Sequence, residues 1–167
     1  MEPTSVVATV IPTRQEATHI ERCLRSFMEQ TYPAHLHQIL VLDGGSTDGT
    51  WEELVQMGKA EEKLKVHQVS RDWEHPRFAV FDGLQKAEAR KLCTSEFCWQ
   101  QDADEVVHEN DYSKIVQLLR NFPTQVDIVS LPVVEYWGGP GKVMMDVNPW
   151  KWRLSSNKPH ITHGIPK

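Results

Sequence analysis

Cysteine is scarce in this chain. There are three in 167 residues, Cys23, Cys93 and Cys98, and no two form a C-x-x-C pair. An odd count without metal-ligand spacing excludes a disulfide-framed fold and a zinc site. It reads as reduced, partly buried thiols of an intracellular protein. Basic charge is also in short supply: Lys and Arg total 18 against 23 Asp and Glu, a formal net charge of −5. That argues against a nucleic-acid partner, whose binding surface is ordinarily basic. It does not exclude an anionic ligand, because a metal ion or backbone amides can supply local positive potential. No apolar run approaches the roughly 18 residues of a membrane span. Glu2 and Pro3 precede a short apolar run, which is not the form of a secretory leader. Internal repeats, low-complexity tracts and a clear linker are absent too. What remains is a single globular domain over residues 1–167, long enough to bury a core. Its expected place is the cytoplasm or the cytoplasmic face of a membrane, with no transmembrane segment.

What is present is a regular alternation of short apolar runs and amphipathic stretches. Val6–Ile11 is a β-branched run closed by Pro12 and reads as a buried parallel strand. Thr18–Glu21 has the spacing of a capping box, and Ile20, Cys23, Leu24 and Phe27 repeat at helical spacing to about Gln30. Gln38–Leu42 predicts a second strand, and a helix follows from Trp51 to about Met57, with Asp48 or Thr50 as its cap. Leu64–Val69 predicts a third strand, Phe78–Leu92 a helix and Phe97–Gln101 a fourth strand. A further helix reaches Asn121, and Val126–Leu131 is a strand. The tail from Val133 is hairpin-like, irregular and aromatic, with Trp137, Trp150 and Trp152, and forms an irregular β-rich C-terminal part. This βαβαβαβ order predicts an α/β, mostly parallel sheet flanked by helices. In such sheets ligands sit beyond the carboxyl ends of the strands.

Three polar loops fall at that edge. Pro12-Thr13-Arg14-Gln15-Glu16 follows the first strand. Asp43-Gly44-Gly45-Ser46-Thr47-Asp48-Gly49-Thr50 follows the second. Asp102-Ala103-Asp104-Glu105 follows the fourth. In an extended backbone Asp102 and Asp104 would point the same way. Two carboxylates so placed suit a hard divalent cation, Mg²⁺ or Mn²⁺, that also takes substrate phosphates. Asp43 reads either as a ligand acceptor or as the anchor of an Asx turn. Glu105 reads as a neighbour of the metal edge or as a solvated carboxylate.

These motifs resemble the inverting glycosyltransferases of family 2, which have the GT-A fold. The first loop is similar to their "P-x-x-N-E", with Gln15 in place of Asn. The second is similar to "D-(D/G)-G-S-x-D-G-T". Lys86-Ala87-Glu88-Ala89-Arg90 resembles their "gK-x-x-A-R-N" helix, with Lys91 in place of the final Asn, and Asp102-Ala103-Asp104 matches their "D-x-D". The likeness is strong over residues 5–108, the expected nucleotide-binding half. It is thinner over 109–167, a partial acceptor-side half, where Trp152-Arg153-Leu154 and Ile161-Thr162-His163 resemble a strand pair carrying "R-L" and a histidine. The resemblance implies that Pro12, Thr13 and Glu16 line the nucleotide pocket. It implies that Asp43 accepts from the base, as a carboxylate meets the imide of uracil, and that Arg90 approaches the nucleotide or its phosphates. Asp102 would bind the ribose and Asp104 the metal, with His163 as a further metal ligand.

The implied reaction is metal-dependent, inverting transfer of a sugar from a nucleotide diphosphate, UDP first, to a glycan, lipid-linked or protein acceptor. Family members carry their base well past the D-x-D motif, so the sequence reads as the N-terminal portion of such an enzyme or as a short member. Glu135 and Asp146 are the candidate bases in that half, although sequence alone cannot bring either to a hydroxyl. Trp137, Trp150 and Trp152 serve either packing or stacking on a sugar ring. Three other readings compete. A degenerate module would bind the nucleotide sugar without turnover. A haloacid-dehalogenase-type phosphatase would use Asp102 as nucleophile in D-x-D-x-[T/V], but no later acidic pair follows. A sugar nucleotidyltransferase would need a glycine-rich loop after the first strand, and Pro12–Glu16 has no glycine.

Overall fold

The computed structural model describes residues 5–70, 78–145 and 148–162. Six strands form one sheet in the order β3-β2-β1-β4-β6-β5. They are β1 (Val7–Thr13), β2 (His37–Asp43), β3 (Leu64–Gln68), β4 (Phe97–Gln100), β5 (Ile128–Pro132) and β6 (Trp150–Ser156). The first four run parallel, while β6 lies antiparallel to both β4 and β5. The sheet is therefore mostly parallel, as the alternation of elements predicts.

The helices α1 (Ile20–Met28), α2 (Thr50–Ala60), α3 (Phe78–Lys91) and α4 (Tyr112–Arg120) cover both faces. Strand alternation divides the core in two. Val7, Ile11, Ile39, Val41, Phe97, Trp99 and Leu154 face one way, against Ile20, Leu24 and Phe27 of α1, Leu54 of α2 and Leu119 of α4. Ala8, Val10, Leu40, Leu42 and Cys98 face the other way, against Ala89 and Cys93 at the end of α3. Burial on both faces is why β1, β2 and β4 read as unbroken apolar runs.

Two local expectations are corrected. No capping box forms at α1. Its N-cap is His19, with no side-chain cap bond, because the Glu16 carbonyl already accepts from the amides of His19 and Ile20, each at 2.9 Å. The Asp-x-Asp segment is also not extended. Ladder pairing of β4 stops at Gln100, opposite Val10, and with Leu154 at Trp99. The freed backbone turns, with Glu105 N–H donating to the Asp102 carbonyl at 3.1 Å.

The pairing of β5 with β6 contains a bulge. Val129 pairs with Leu154, but Ser130 pairs with Trp152, so Arg153 has no opposite residue. Leu154 is consequently buried in the core while Trp152 is 38 % exposed. Beyond β5 an isolated bridge joins Tyr136 to Val143. Val134, Tyr136, Trp137, Met145 and Trp150 are all exposed in this region. No helix among the described residues is long and apolar enough to cross a membrane.

Candidate functional site at the carboxyl edge of the sheet

Because β1, β2 and β4 are parallel, their three following loops meet at one edge. The first two are bonded along their length. Gly44 N–H donates to the Thr13 carbonyl at 2.9 Å. Gln15 N–H donates to Ser46 Oγ at 2.9 Å, and the Gln15 amide both accepts from Thr47 N–H and donates to Thr47 Oγ1. Glu16 N–H donates to Thr50 Oγ1 at 2.8 Å, and Ala17 N–H to Asp48 Oδ2 at 3.1 Å. Gln15 takes φ +58°. That left-handed conformation is one that Asn tolerates better than Gln, which accounts physically for Asn in the motif it departs from. The N-cap of α2 is Gly49, at φ +102° and with no side-chain cap bond, so neither Asp48 nor Thr50 holds that position; Asp48 instead accepts from Thr50 N–H, the first helical residue, at 3.1 Å.

Asp43 is fully buried. Its Oδ2 accepts from the amides of Gly45 and Ser46, each at 3.0 Å, and from Gln68 Nε2 at 2.9 Å. Its Oδ1 accepts from Ser46 Oγ. The structure thus gives Asp43 the Asx-turn role, holding Gly45 at φ +81°. Gln85 on α3 ties the two strand ends together, donating from Nε2 to the carbonyls of Thr13 at 2.8 Å and Leu42 at 3.2 Å.

Asp102 is the centre of the third loop. Lys86 Nζ lies 3.1 Å from its Oδ1, and Arg153 Nη2 donates to its Oδ2 at 3.1 Å. Lys86 also reaches Asp82 at 3.1 Å. Arg153, nine-tenths buried, makes a second short bond to Glu105. Glu105 Oε2 in turn accepts from Gln101 Nε2 at 3.1 Å. Burial pushes the Asp102 carboxyl up, but the charges of Lys86 and Arg153 outweigh it and hold the group below its ordinary range. Glu105 goes the other way. Burial raises it, and the Asp102 charge adds to that rise against the pull of Arg153. For Lys86, burial is likewise outweighed by Asp102 and Asp82, and its ammonium is held above its usual range.

Thr13 is buried at the end of β1, and its Oγ1 has no partner. Pro12 is half-buried beside it. Glu16 is half-buried and pairs with His19 Nδ1 at 2.9 Å. Asp104 is exposed at the turn. Glu135 stands in the segment after β5, paired with Lys151 at 3.0 Å. Asp146 and His163 lie outside the described residues.

Arg90 is a correction. It does not reach the carboxyl edge. Helix α3 runs back along the sheet, so its last turn lies over the amino end of β4. There the Arg90 guanidinium donates to the Ile161 carbonyl, Ser155 Oγ and the Ser156 carbonyl at 2.9–3.1 Å. The α3 cation at the site is Lys86, one turn earlier. Sequence reasoning missed Lys86, Gln85 and Arg153 as site residues. The available signal for Lys86 and Arg153 was their place in the K-x-x-A-R and R-L motifs; Gln85, just before the first of these, carried none.

Among the described residues, no three or more His, Cys, Asp and Glu are grouped to hold a metal. Magnesium-type ions are commonly held by one or two carboxylates together with substrate phosphates. Exposed Asp104 fits a site completed in that way. Asp102, already neutralised by two cations, fits it less well.

A family model described as "Glycosyl transferase family 2" matches residues 8–162. Glycosyltransferase AglE of Haloferax volcanii is 40 % identical over 60 residues, covering 36 % of this chain and 20 % of that protein. A Methanococcus voltae dolichyl N-acetyl-alpha-D-glucosaminyl phosphate 3-beta-D-2,3-diacetamido-2,3-dideoxy-beta-D-glucuronosyltransferase is 29 % identical over 83 residues, 48 % of this chain and 25 % of that one. The chain thus spans a quarter or less of these curated relatives. Among solved structures, S. aureus TarS superposes with a TM-score of 0.67 at 17 % identity, over 91 % of this chain and 28 % of its own. That likeness is one of fold, and the fold is GT-A. Mannosyltransferase PcManGT from Pyrobaculum calidifontis, in complex with GDP-Man and Mn²⁺, superposes with a TM-score of 0.62 at 26 % identity, over 80 % of this chain and 36 % of its own.

Proposed function

The chain belongs to glycosyl transferase family 2, and from that premise we propose that it is the nucleotide-sugar-binding part of a glycosyltransferase. The carrying observation is the meeting of loops 12–17, 43–50 and 102–105 at one edge, with Asp102 gripped by Lys86 and Arg153. Pro12, Thr13 and Glu16 line one wall, where Thr13 is buried and its Oγ1 has no partner. Asp102 faces the ribose. Asp43 acts through the loop it anchors, so UDP is proposed on the family pattern and not on a free Asp43 carboxylate. Structural neighbours in complex with UDP-GlcNAc and with GDP-Man support both nucleotides as first trials.

Asp104 is the proposed holder of Mg²⁺ or Mn²⁺, with His163 as a further candidate. Once bound, such an ion neutralises charge on the leaving diphosphate. Arg153 and Lys86 fix the Asp102 turn that carries Asp104. An acceptor hydroxyl attacking the anomeric carbon from the face opposite the diphosphate gives inversion. The acceptor half is 109–167, and the curated relative acting on a dolichyl phosphate sugar makes a lipid-linked glycan the first acceptor to try. A second reading, binding without turnover, is favoured by one observation: Glu135, a candidate base, is already paired with Lys151.

The test is calorimetric titration of UDP, GDP and dTDP, with and without Mn²⁺, into the chain and into Asp104→Ala. Metal-dependent binding of one nucleotide, lost in the variant, supports the reading; metal-independent binding of equal strength in both proteins sinks the metal assignment. Anomeric NMR of a product showing retention would remove the inverting claim.

A further inference from the structure

The loop that carries Asp102 and Asp104 has a back as well as a front. Its front is the grip of Lys86 and Arg153 on Asp102. Its back is bonded to α1. Ala103, between the two aspartates, is buried and belongs to the core layer that holds Ile20, Cys23, Leu24 and Phe27 of that helix. Cys23 Sγ donates to the Asp102 carbonyl at 3.7 Å. Val107 N–H donates to Ser26 Oγ at 3.2 Å, and Tyr112 Oη donates to the Ser26 carbonyl at 2.9 Å. One helix therefore bonds the loop at both of its ends. The same helix starts where the first site loop stops, with the Glu16 carbonyl accepting from the amides of His19 and Ile20.

The serine in that helix has a physical reason. Inside a helix a serine is ordinarily unfavourable, because its hydroxyl competes for backbone groups. Here the hydroxyl is used twice. It donates to the Cys23 carbonyl at 2.7 Å and accepts from Val107 N–H. Ser26 is buried and Val107 half-buried against the core, so water is a poor substitute for either partner. Val107 lies outside every helix and strand, and its N–H depends on that hydroxyl. The Ser26 carbonyl falls in the last turn of α1, where intrahelical donors run out, and Tyr112 supplies the donor.

We propose that Ser26 is a positioning residue of the candidate site. It acts through the backbone of Val107, holding the loop 102–107, and Asp104 with it, in one form. The loop geometry stands by itself. Its consequence for Mn²⁺-dependent nucleotide binding rests on the glycosyltransferase reading above.

The test starts with amide hydrogen exchange of the whole chain, wild type against Ser26→Ala and Ser26→Thr. In Ser26→Ala the amides of Val107 and its neighbours in 102–107 should exchange at least about tenfold faster, while those of β1 and β2 keep their protection. Ser26→Thr, which retains the hydroxyl, should restore the loop. Calorimetric titration with UDP and with GDP follows. Ser26→Ala should weaken Mn²⁺-dependent binding roughly two- to thirtyfold and leave metal-free binding where the wild type has it. Arg25→Ala removes an exposed ion pair from the same helix and should change neither readout. Unchanged exchange at Val107 overturns the proposal, and so does acceleration spread evenly over the chain or an equal loss of binding with and without Mn²⁺. If the wild type binds neither nucleotide, the functional reading fails, and exchange at Val107 still decides whether Ser26 holds the loop. The comparison of wild type with Ser26→Ala is decisive whether or not Ser26→Thr folds.

Discussion

The Lys86 ammonium and the Asp102 carboxylate stand 3.1 Å apart, joining the middle of α3 to the turn after β4. Lys86 is only 14 % exposed and Asp102 32 %, so the pair is partly withdrawn from water. A pair in that setting contributes more than a surface ion pair. Lys86→Met should lower unfolding stability by about 1–3 kcal/mol, the scale of a hydrogen bond to a charged group. Urea unfolding of the variant checks it. A cost under a few tenths of a kcal/mol would mean that Arg153 alone holds the turn.

Asp104 should behave in the opposite way. It is exposed, and surface substitutions of that kind usually change stability by within about 0.5 kcal/mol. Asp104→Ala should therefore unfold at nearly the wild-type urea concentration while weakening Mn²⁺-dependent nucleotide binding at least about tenfold, a loss of ~1.4 kcal/mol. Circular dichroism and calorimetry on one preparation separate the two effects.

Asp43→Ala removes a fully buried acceptor of four hydrogen bonds. It leaves the amides of Gly45 and Ser46 without partners, at about 1–3 kcal/mol for each orphaned group. The expected result is a clear loss of stability and faster hydrogen exchange at Gly45 and Ser46. Asp43→Asn keeps one acceptor oxygen and should lose less. Equal stability of wild type and Asp43→Ala would refute the anchoring role.

His37 sets an acid limit. It is buried against Thr9, Phe27 and Tyr32, and its Nδ1 has no partner. Burial, then the Lys63 charge, lowers it to about 4 from the ordinary value of 6.5. Between those values the unfolded chain takes up a proton that the folded chain refuses. Stability therefore falls as pH drops from about 6.5 to about 4, by up to a few kcal/mol. Asp102, held below its ordinary range, adds a further loss only below the usual carboxylate value. Unfolding free energies from pH 8 to 4.5 should slope in the wild type and flatten in His37→Gln.

The sheet was legible because three of its four parallel strands are short apolar runs that end in polar loop residues, while β3 alternates apolar and polar residues. Burial on both faces writes β1, β2 and β4 as unbroken apolar residues, and parallel pairing then brings their loops together without further information. Arg90 and Lys86 were not distinguishable in the same way. They lie one turn apart on one helix, and only the direction of α3 across the sheet decides which of them meets Asp102. The turn at Asp102 was hidden because it depends on where the neighbours of β4 stop pairing. Arg153 was hidden for a related reason: a side chain brought in by a bulge follows no period of two.

That bulge gives Arg153 two unrelated jobs, a spacer and a counter-ion. As the extra residue it is accommodated between Leu154, which points inward, and Trp152, which points outward, on adjacent pairs of the ladder. It also supplies the guanidinium shared by Asp102 and Glu105. Replacing the residue would discharge the acidic turn but leave the strand in phase. Deleting it would remove the same guanidinium and the bulge with it, but because Val129–Leu154 and Ser130–Trp152 are already successive pairs, Leu154 would stay inward and Trp152 outward. At this position, unlike elsewhere in the strand, a one-residue gap costs the counter-ion and the local bend but not the phase of β6.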